Sequence, residues 1–180
     1  MHKKLNTDLN NANSPRVIWI TGLPGSGKTT LAKKIQNIMV ESGRPTLLLD
    51  GDQLREALGV IGNYSIEERK VLSKKYQQIG RLFYLQGFNV VFSVVAMFDE
   101  IRDSNRQVFQ NYLEIFLDVE SDLRLEVRPQ LKGESIMNNP SSSEYEFPKS
   151  PDLMLVANTN ADRNGWLNEI LNHLGLEIEH

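Results

Sequence analysis

The sequence contains no cysteine and no long hydrophobic run, and each absence excludes a class of protein. Without cysteine, the chain cannot form disulfide bonds, thiolate-bound zinc sites, iron–sulfur clusters or a cysteine nucleophile. No apolar stretch approaches the roughly 20 residues that a membrane-spanning helix requires, so we expect no membrane partner. The two lysines near the N-terminus are not followed by an apolar segment, so we expect no secretory signal and predict a cytoplasmic protein.

The chain also carries little net charge for its size. Its 20 basic and 23 acidic residues give a formal charge of −3, which argues against nucleic acid as a partner. The 180 residues fit one domain. Residues 1–14 are polar and are predicted to be a disordered extension, followed by a single domain over residues 15–180.

The most informative segment is a glycine-rich loop that follows an apolar run. Residues 22–29 read GLPGSGKT and fit the phosphate-binding pattern G-x-x-x-x-G-K-[ST] at every fixed position. Glycines let backbone N–H groups turn inward around a phosphate, and the next helix presents its positive dipole end to the same anion. The alternative is a chance match in a glycine-rich turn. We predict that a nucleoside triphosphate is bound by Gly22, Leu23, Pro24, Gly25, Ser26, Gly27, Lys28, Thr29 and Thr30.

Two residues of this loop have predicted roles in the chemistry. Lys28 is expected to reach the β- and γ-phosphates and is therefore a candidate catalytic residue. The hydroxyl of Thr29 is expected to bind Mg²⁺, which prefers oxygen ligands. The loop therefore predicts a nucleoside triphosphate and Mg²⁺ as ligands.

A second site follows a predicted buried strand, in the segment LDGDQLR at residues 49–55. The carboxyl ends of parallel strands are where open α/β sheets bind their ligands. Asp50 or Asp52 could hold Mg²⁺, and the other could accept a proton from an attacking hydroxyl. Arg55 suits a phosphate or sulfate on a second substrate, because its planar guanidinium engages two oxygens. The alternative is an Asp-Gly turn with helix-capping acids.

Strand-like and helix-like segments alternate along the chain, which predicts an α/β domain with a parallel sheet. Residues 128–151 interrupt this pattern and are rich in proline, serine and asparagine. We predict a lid over the site there, although a plain surface insertion has the same composition. Predicted strands cover residues 16–21, 46–49, 89–95, 113–119 and 152–158, and predicted helices cover residues 27–41, 52–58, 65–86, 100–110, 121–127 and 161–174.

The two sites together resemble the adenylylsulfate kinase family. The segments GLPGSGKTTLA and LLLDGDQLREALG carry the resemblance, which extends over about residues 16–160. It implies a P-loop kinase fold: a three-layer sandwich with a five-stranded parallel sheet and a lid. It also implies transfer of the γ-phosphoryl group of MgATP to the ribose 3′-hydroxyl of adenylylsulfate, and it allows a homodimer. The resemblance implies substrate contacts by Asp52, Arg55, Tyr64 and Arg69, while Arg128 is a candidate for ATP and Lys132 for the substrate.

The sequence departs from the family on the acceptor side. Leu72 stands where the family has asparagine, and Ala96-Met97 replaces a Ser-Pro pair. Leucine cannot make the hydrogen bonds of an amide, so a different base or anion is expected to be accepted. We predict a small, anionic, nucleotide-like acceptor, with adenylylsulfate as the family default and cytidine diphosphoramidate, in a surface-polysaccharide pathway, as the alternative. A non-enzymatic nucleotide-binding regulatory protein is the third hypothesis.

Three residues outside these sites also bear predictions. Trp19 lies inside the first predicted strand and is expected in the core. Arg102 and Arg106 are one helical turn apart and would either face substrate anions or lie on the surface.

Overall fold

The strands form one sheet, in which every neighbouring pair is parallel. The computed structural model describes residues 14–60, 65–127, 129 and 145–176. Within these ranges the strand order is β2-β3-β1-β4-β5, and all four pairings are parallel. The predicted five-stranded parallel sheet is therefore confirmed. The strands are β1 (Val17–Gly22), β2 (Thr46–Asp50), β3 (Asn89–Ser93), β4 (Tyr112–Val119) and β5 (Leu153–Ala157).

Helices connect the strands and cover both faces of the sheet. One face carries a core of Ile18, Ile20 and residues of the first and last helices, whereas Val17 and Trp19 contribute to a second core on the opposite face. Alternate residues of a strand point to opposite faces, so a strand buried on both sides is continuously apolar. Trp19 is fully buried, as predicted. The helices are α1 (Lys28–Glu41), α2 (Gly51–Ala57), α3 (Ile66–Leu85), α4 (Asp99–Val108), α5 (Ser121–Val127) and α6 (Trp166–Leu174).

Most predicted bounds agree with the structure to within two residues, but the C-terminal helix was predicted too long. A 3-10 helix (Asn160–Gly165) precedes α6. The Asp162 carboxylate accepts hydrogen bonds from the backbone N–H groups of Asn158 and Thr159. Short polar side chains such as these compete with the regular helical hydrogen bonds, so the α-helix begins only at Trp166.

The start of α3 follows from a local signal that the sequence carries. The Ser65 hydroxyl accepts a hydrogen bond from the backbone N–H of Glu68, and the Glu68 carboxylate accepts one from the backbone N–H of Ser65. This reciprocal capping box satisfies two N–H groups that a helix start leaves without partners. The hydrogen bonds from Ser65 also lower the pKa of the Glu68 carboxyl. The first turn of α3 is thereby fixed close to the carboxyl edge of the sheet.

The predicted extension and lid lie almost entirely outside the described residues. Of the extension only Ser14 is described, and of the lid only Pro129 and residues 145–151. Tyr145 and Pro148 are buried, so the C-terminal end of the predicted lid is packed against the domain.

The packing of α3 on the sheet gives a test of the core. A methyl group added at Gly80 would lie 2.2 Å from Cζ of Phe92. We expect Gly80→Ala to destabilise the protein by about 1–3 kcal/mol, although alanine in an exposed helix position stabilises by about 1 kcal/mol. Urea denaturation followed by circular dichroism measures the change. The double variant Gly80→Ala/Phe92→Leu should recover part of the loss, and a stabilised Gly80→Ala protein would contradict this packing.

Candidate active site

The glycine-rich loop joins the end of β1 to the start of α1. Gly25 and Gly27 have φ angles of +81° and +93°, and Gly27 is the N-cap of α1. The loop turns back on itself: the backbone N–H of Ser26 donates to the carbonyl oxygen of Leu23 over 3.2 Å. The Lys28 ammonium donates to the same carbonyl over 2.8 Å. The lysine charge is therefore held inside the curve of the loop, where a bound phosphate would lie.

Close backbone contacts hold this loop from outside. A methyl group added at Gly25 would lie 2.6 Å from the carbonyl oxygen of Arg124 in α5. One added at Gly22 would lie 2.7 Å from the carbonyl oxygen of Leu117 in β4. Glycine is thus required at these two positions by space as well as by conformation.

Three side-chain oxygens from three elements meet beside the loop. The Thr29 hydroxyl, in the first turn of α1, donates to Oδ2 of Asp50 over 2.7 Å. The Ser93 hydroxyl, at the end of β3, lies 3.1 Å from the Thr29 hydroxyl. The other carboxylate oxygen of Asp50 accepts the backbone N–H of Asp52 over 3.0 Å and caps α2. Asp50 is therefore both a helix cap and a neighbour of the phosphate loop.

The chemistry of these oxygens fits Mg²⁺. A hydroxyl and a carboxylate are hard ligands, and Mg²⁺ is usually held by one or two carboxylates while it keeps several waters. Among the described residues, no group of three or more histidine, aspartate and glutamate side chains is placed to hold a metal ion. Thr29 and Asp50 would therefore hold a hydrated cation that also contacts the phosphates, rather than a metal enclosed by protein.

The residues that are predicted to bind a second substrate line the same cavity as the loop. Asp52 and Arg55 form an ion pair across one turn of α2, and their side chains are 57% and 33% exposed. Both carry charge that remains accessible to a ligand. The structure thus places Asp50, Asp52 and Arg55 around one cavity with Pro24, Gly25, Gly27, Lys28, Thr29 and Thr30.

Arg69 is outside the residues that line this cavity, and its side chain contacts Tyr145. Its guanidinium donates to the Tyr145 hydroxyl over 3.2 Å and lies 5.7 Å from the centre of the tyrosine ring. Tyr145 packs in a small apolar cluster with Met97 and Leu23 of the phosphate loop. The other predicted contacts, Tyr64, Arg128 and Lys132, lie outside the described residues.

Five further cavity residues were missed by the sequence reasoning. They are the first residue of α2, the last residue of β3, two valines that follow it, and the last residue of α5: Gly51, Ser93, Val94, Val95 and Val127. A polar residue at the carboxyl end of an apolar strand is a signal that points to Ser93. The valines resemble ordinary core residues, so composition gives no comparable signal for them.

Arg102 and Arg106 belong to a structural network. Arg102 is buried, so both roles proposed for it, contact with substrate anions and a position on the surface, were wrong. Arg106 contacts Glu114 over 2.8 Å and Asp152 over 3.1 Å. Arg102 lies 3.5 Å from Glu114 and donates to the carbonyl oxygen of Glu146. Burial raises the pKa of the Glu114 carboxyl, and the two arginines oppose that rise. The network joins α4 and β4 to the segment that precedes β5.

The close contact between the phosphate loop and α5 gives a second test. We expect Gly25→Ala to weaken ATP binding strongly, because the methyl group meets a backbone carbonyl that cannot move without shifting α5. Gly59→Ala is the matched control: its φ is also positive, at +66°, but no atom lies within 4 Å of the added methyl group. The control should lose only about 1–2 kcal/mol of stability from backbone strain. Isothermal titration measures the affinity of each variant for ATP. Equal affinities would contradict a steric requirement for glycine where residue 25 meets the Arg124 carbonyl oxygen.

The chain is similar to known proteins over most of its length. A family model described as adenylylsulphate kinase matches residues 14–156. The chain is 33% identical over 158 residues to the cytidine diphosphoramidate kinase of Campylobacter jejuni, covering 84% of this chain and 91% of that protein. It is 31% identical over 153 residues to a probable adenylyl-sulfate kinase of Halalkalibacterium halodurans, covering 81% and 74%.

A solved structure shares the fold. The APS kinase of Mycobacterium tuberculosis, solved in complex with AMPPNP and APS, superposes with a TM-score of 0.74 at 24% identity. The superposition covers 90% of this chain and 98% of that one. Together with the family match over residues 14–156, these findings show that the chain belongs to the adenylylsulfate kinase family and is an ATP-dependent phosphotransferase.

Proposed function

We propose that the protein transfers the γ-phosphoryl group of ATP to the ribose 3′-hydroxyl of a small anionic nucleotide conjugate. The observation that carries this proposal is the single cavity lined by the phosphate loop and by Asp52 and Arg55. Phosphoryl transfer requires mainly that donor and acceptor be aligned and that charge be neutralised. A loop for ATP and an acid-arginine pair within one cavity meet both requirements.

The contacts of the two aspartates support different roles for them. Each carboxylate oxygen of Asp50 already accepts a hydrogen bond, from Thr29 or from the Asp52 backbone, and Asp50 is buried. We therefore assign Asp50, with Thr29, to Mg²⁺, which when bound neutralises phosphate charge. Asp52 is more exposed and is assigned to orient the acceptor hydroxyl and to accept its proton.

The remaining charged residues are assigned either to ATP, the phosphoryl donor, or to the phosphoryl acceptor. Lys28 and the loop N–H groups hold the β- and γ-phosphates of ATP, because the ammonium already lies within the loop. Arg55 is assigned to an anionic group of the acceptor. Transfer is direct and in line, without a phosphorylated enzyme intermediate. Arg69, Tyr64 and Lys132 remain proposed acceptor contacts, and Arg128 remains a proposed ATP contact.

Two acceptors are candidates, and the burial of the substituted residues bears on the choice. Leu72, Ala96 and Met97 are all buried in apolar clusters. The two positions that are polar in the family, those of Leu72 and Ala96, therefore contribute packing here and offer no side-chain hydrogen bond. Adenylylsulfate is the family default, whereas the similarity to a cytidine diphosphoramidate kinase and these apolar replacements favour the cytidine conjugate as a second candidate.

Turnover of both acceptors tests the proposal. Purified protein is incubated with radiolabelled ATP, Mg²⁺ and either adenylylsulfate or cytidine diphosphoramidate, and the labelled product is separated and identified. We expect phosphorylation of one of the two on the ribose. Lys28→Ala should reduce turnover by about 10²–10³-fold, as found when electrostatic donors are removed from other enzymes. Phosphorylation of neither acceptor would reject both candidates.

The contact between Arg69 and Tyr145 gives a test of acceptor binding. Tyr145→Phe removes the hydroxyl that holds the Arg69 guanidinium. We expect the KM for the acceptor to rise about fivefold, since a hydrogen bond contributes about 1 kcal/mol, while the KM for ATP stays unchanged. Tyr112→Phe is the control, because its hydroxyl contacts Asn105 away from the cavity. An unchanged acceptor KM in Tyr145→Phe would contradict a role for Arg69 in acceptor binding.

We further propose that the protein works in the cytoplasm, and a homodimer is compatible with the proposed function. Among the helices in the described ranges, none is long and apolar enough to cross a membrane.

A further inference from the structure

Ser93 lies beside the phosphate loop, and the proposed mechanism gives its side chain no role. It is the last residue of β3, is 3% exposed, and is paired in register with Asp50 on β2 and with Ile20 on β1. Its hydroxyl lies 3.1 Å from the Thr29 hydroxyl, and it lines the cavity of the phosphate loop. A buried hydroxyl here is therefore in contact with a proposed Mg²⁺ ligand.

The hydrogen-bond pattern fixes which hydroxyl is the donor. A hydroxyl has one proton to donate and two lone pairs to accept with. The Thr29 proton is committed to Asp50, because an ionised carboxylate can only accept. Ser93 must therefore donate to Thr29, and this donation occupies one of the two Thr29 lone pairs. The second lone pair remains for a cation.

We propose that Ser93 is a positioning residue for the cation site. Its hydroxyl, together with Asp50, fixes the rotation of the Thr29 hydroxyl so that the remaining lone pair is directed to Mg²⁺. Groups that orient metal ligands in this way commonly contribute to metal affinity as well as to geometry. This inference rests on the proposed placement of Mg²⁺ at Thr29 and Asp50.

The linkage between Mg²⁺ and ADP binding tests the inference without measuring catalysis. The dissociation constant of ADP is measured by isothermal titration calorimetry in EDTA and in Mg²⁺, and the value in EDTA divided by the value in Mg²⁺ reports the contribution of the cation. In the wild-type protein we expect ADP to bind more tightly in Mg²⁺. Ser93→Ala should lower that ratio about tenfold, within the range found for residues that support metal ligands, and leave the affinity in EDTA unchanged.

Three further variants separate positioning from structural damage. Ser93→Cys keeps the size of the side chain but donates only a weak hydrogen bond, so it should lower the ratio of dissociation constants as Ser93→Ala does. Ser93→Thr keeps the hydroxyl and should retain most of the wild-type ratio. Ser73→Ala is the matched control, because Ser73 is also 3% exposed and its hydroxyl donates to the Arg69 carbonyl, outside the cavity. The control should keep the wild-type ratio.

The outcomes distinguish failure of this inference from failure of the metal site. A wild-type ratio in both Ser93→Ala and Ser93→Cys would overturn the role of Ser93 while leaving the proposed function intact. Equal weakening of ADP in Mg²⁺ and in EDTA would also overturn it, since Ser93 would then support the loop alone. A wild-type protein without any Mg²⁺ effect would instead refute the proposed metal site, on which the inference rests.

Discussion

The hydrogen bond between Thr29 and Asp50 is the contact on which the site depends. It joins the first turn of α1, and with it the phosphate loop, to the end of β2 over 2.7 Å. Asp50 also caps α2, the helix that carries Asp52 and Arg55. One carboxylate thus fixes the distance between the two halves of the cavity. A change at Asp50 would therefore disturb the phosphate loop and α2 together.

The features that the sequence predicted well are those with local causes. The phosphate loop has fixed spacing, because its turn needs the positive φ angles of Gly25 and Gly27, which glycine adopts without strain. The capping box of Ser65 and Glu68 involves residues three apart. The parallel sheet follows from the alternation of apolar runs with helical segments. In each case the physical requirement falls within a few neighbouring residues, where a sequence pattern can display it.

The features that the sequence did not predict depend on contacts between distant segments. Ser93 meets Thr29 across 64 positions and Arg69 meets Tyr145 across 76. Arg102 was expected at a substrate or on the surface, since no local pattern shows that Glu114 on another element would neutralise it. Even the late start of the predicted C-terminal helix reflects a side chain, Asp162, that substitutes for helical hydrogen bonds. Tertiary geometry decides each of these.

The network around Glu114 has a consequence for how the last strand of the sheet is held. Arg106 ties β4 to Asp152, and Arg102 holds Glu146 by its carbonyl oxygen, so the segment that precedes β5 is fixed to both α4 and β4. Because Glu114 is buried, the loss of either arginine would leave its charge partly uncompensated. The attachment of β5 at the edge of the sheet therefore depends on a charge balance inside the neighbouring strand.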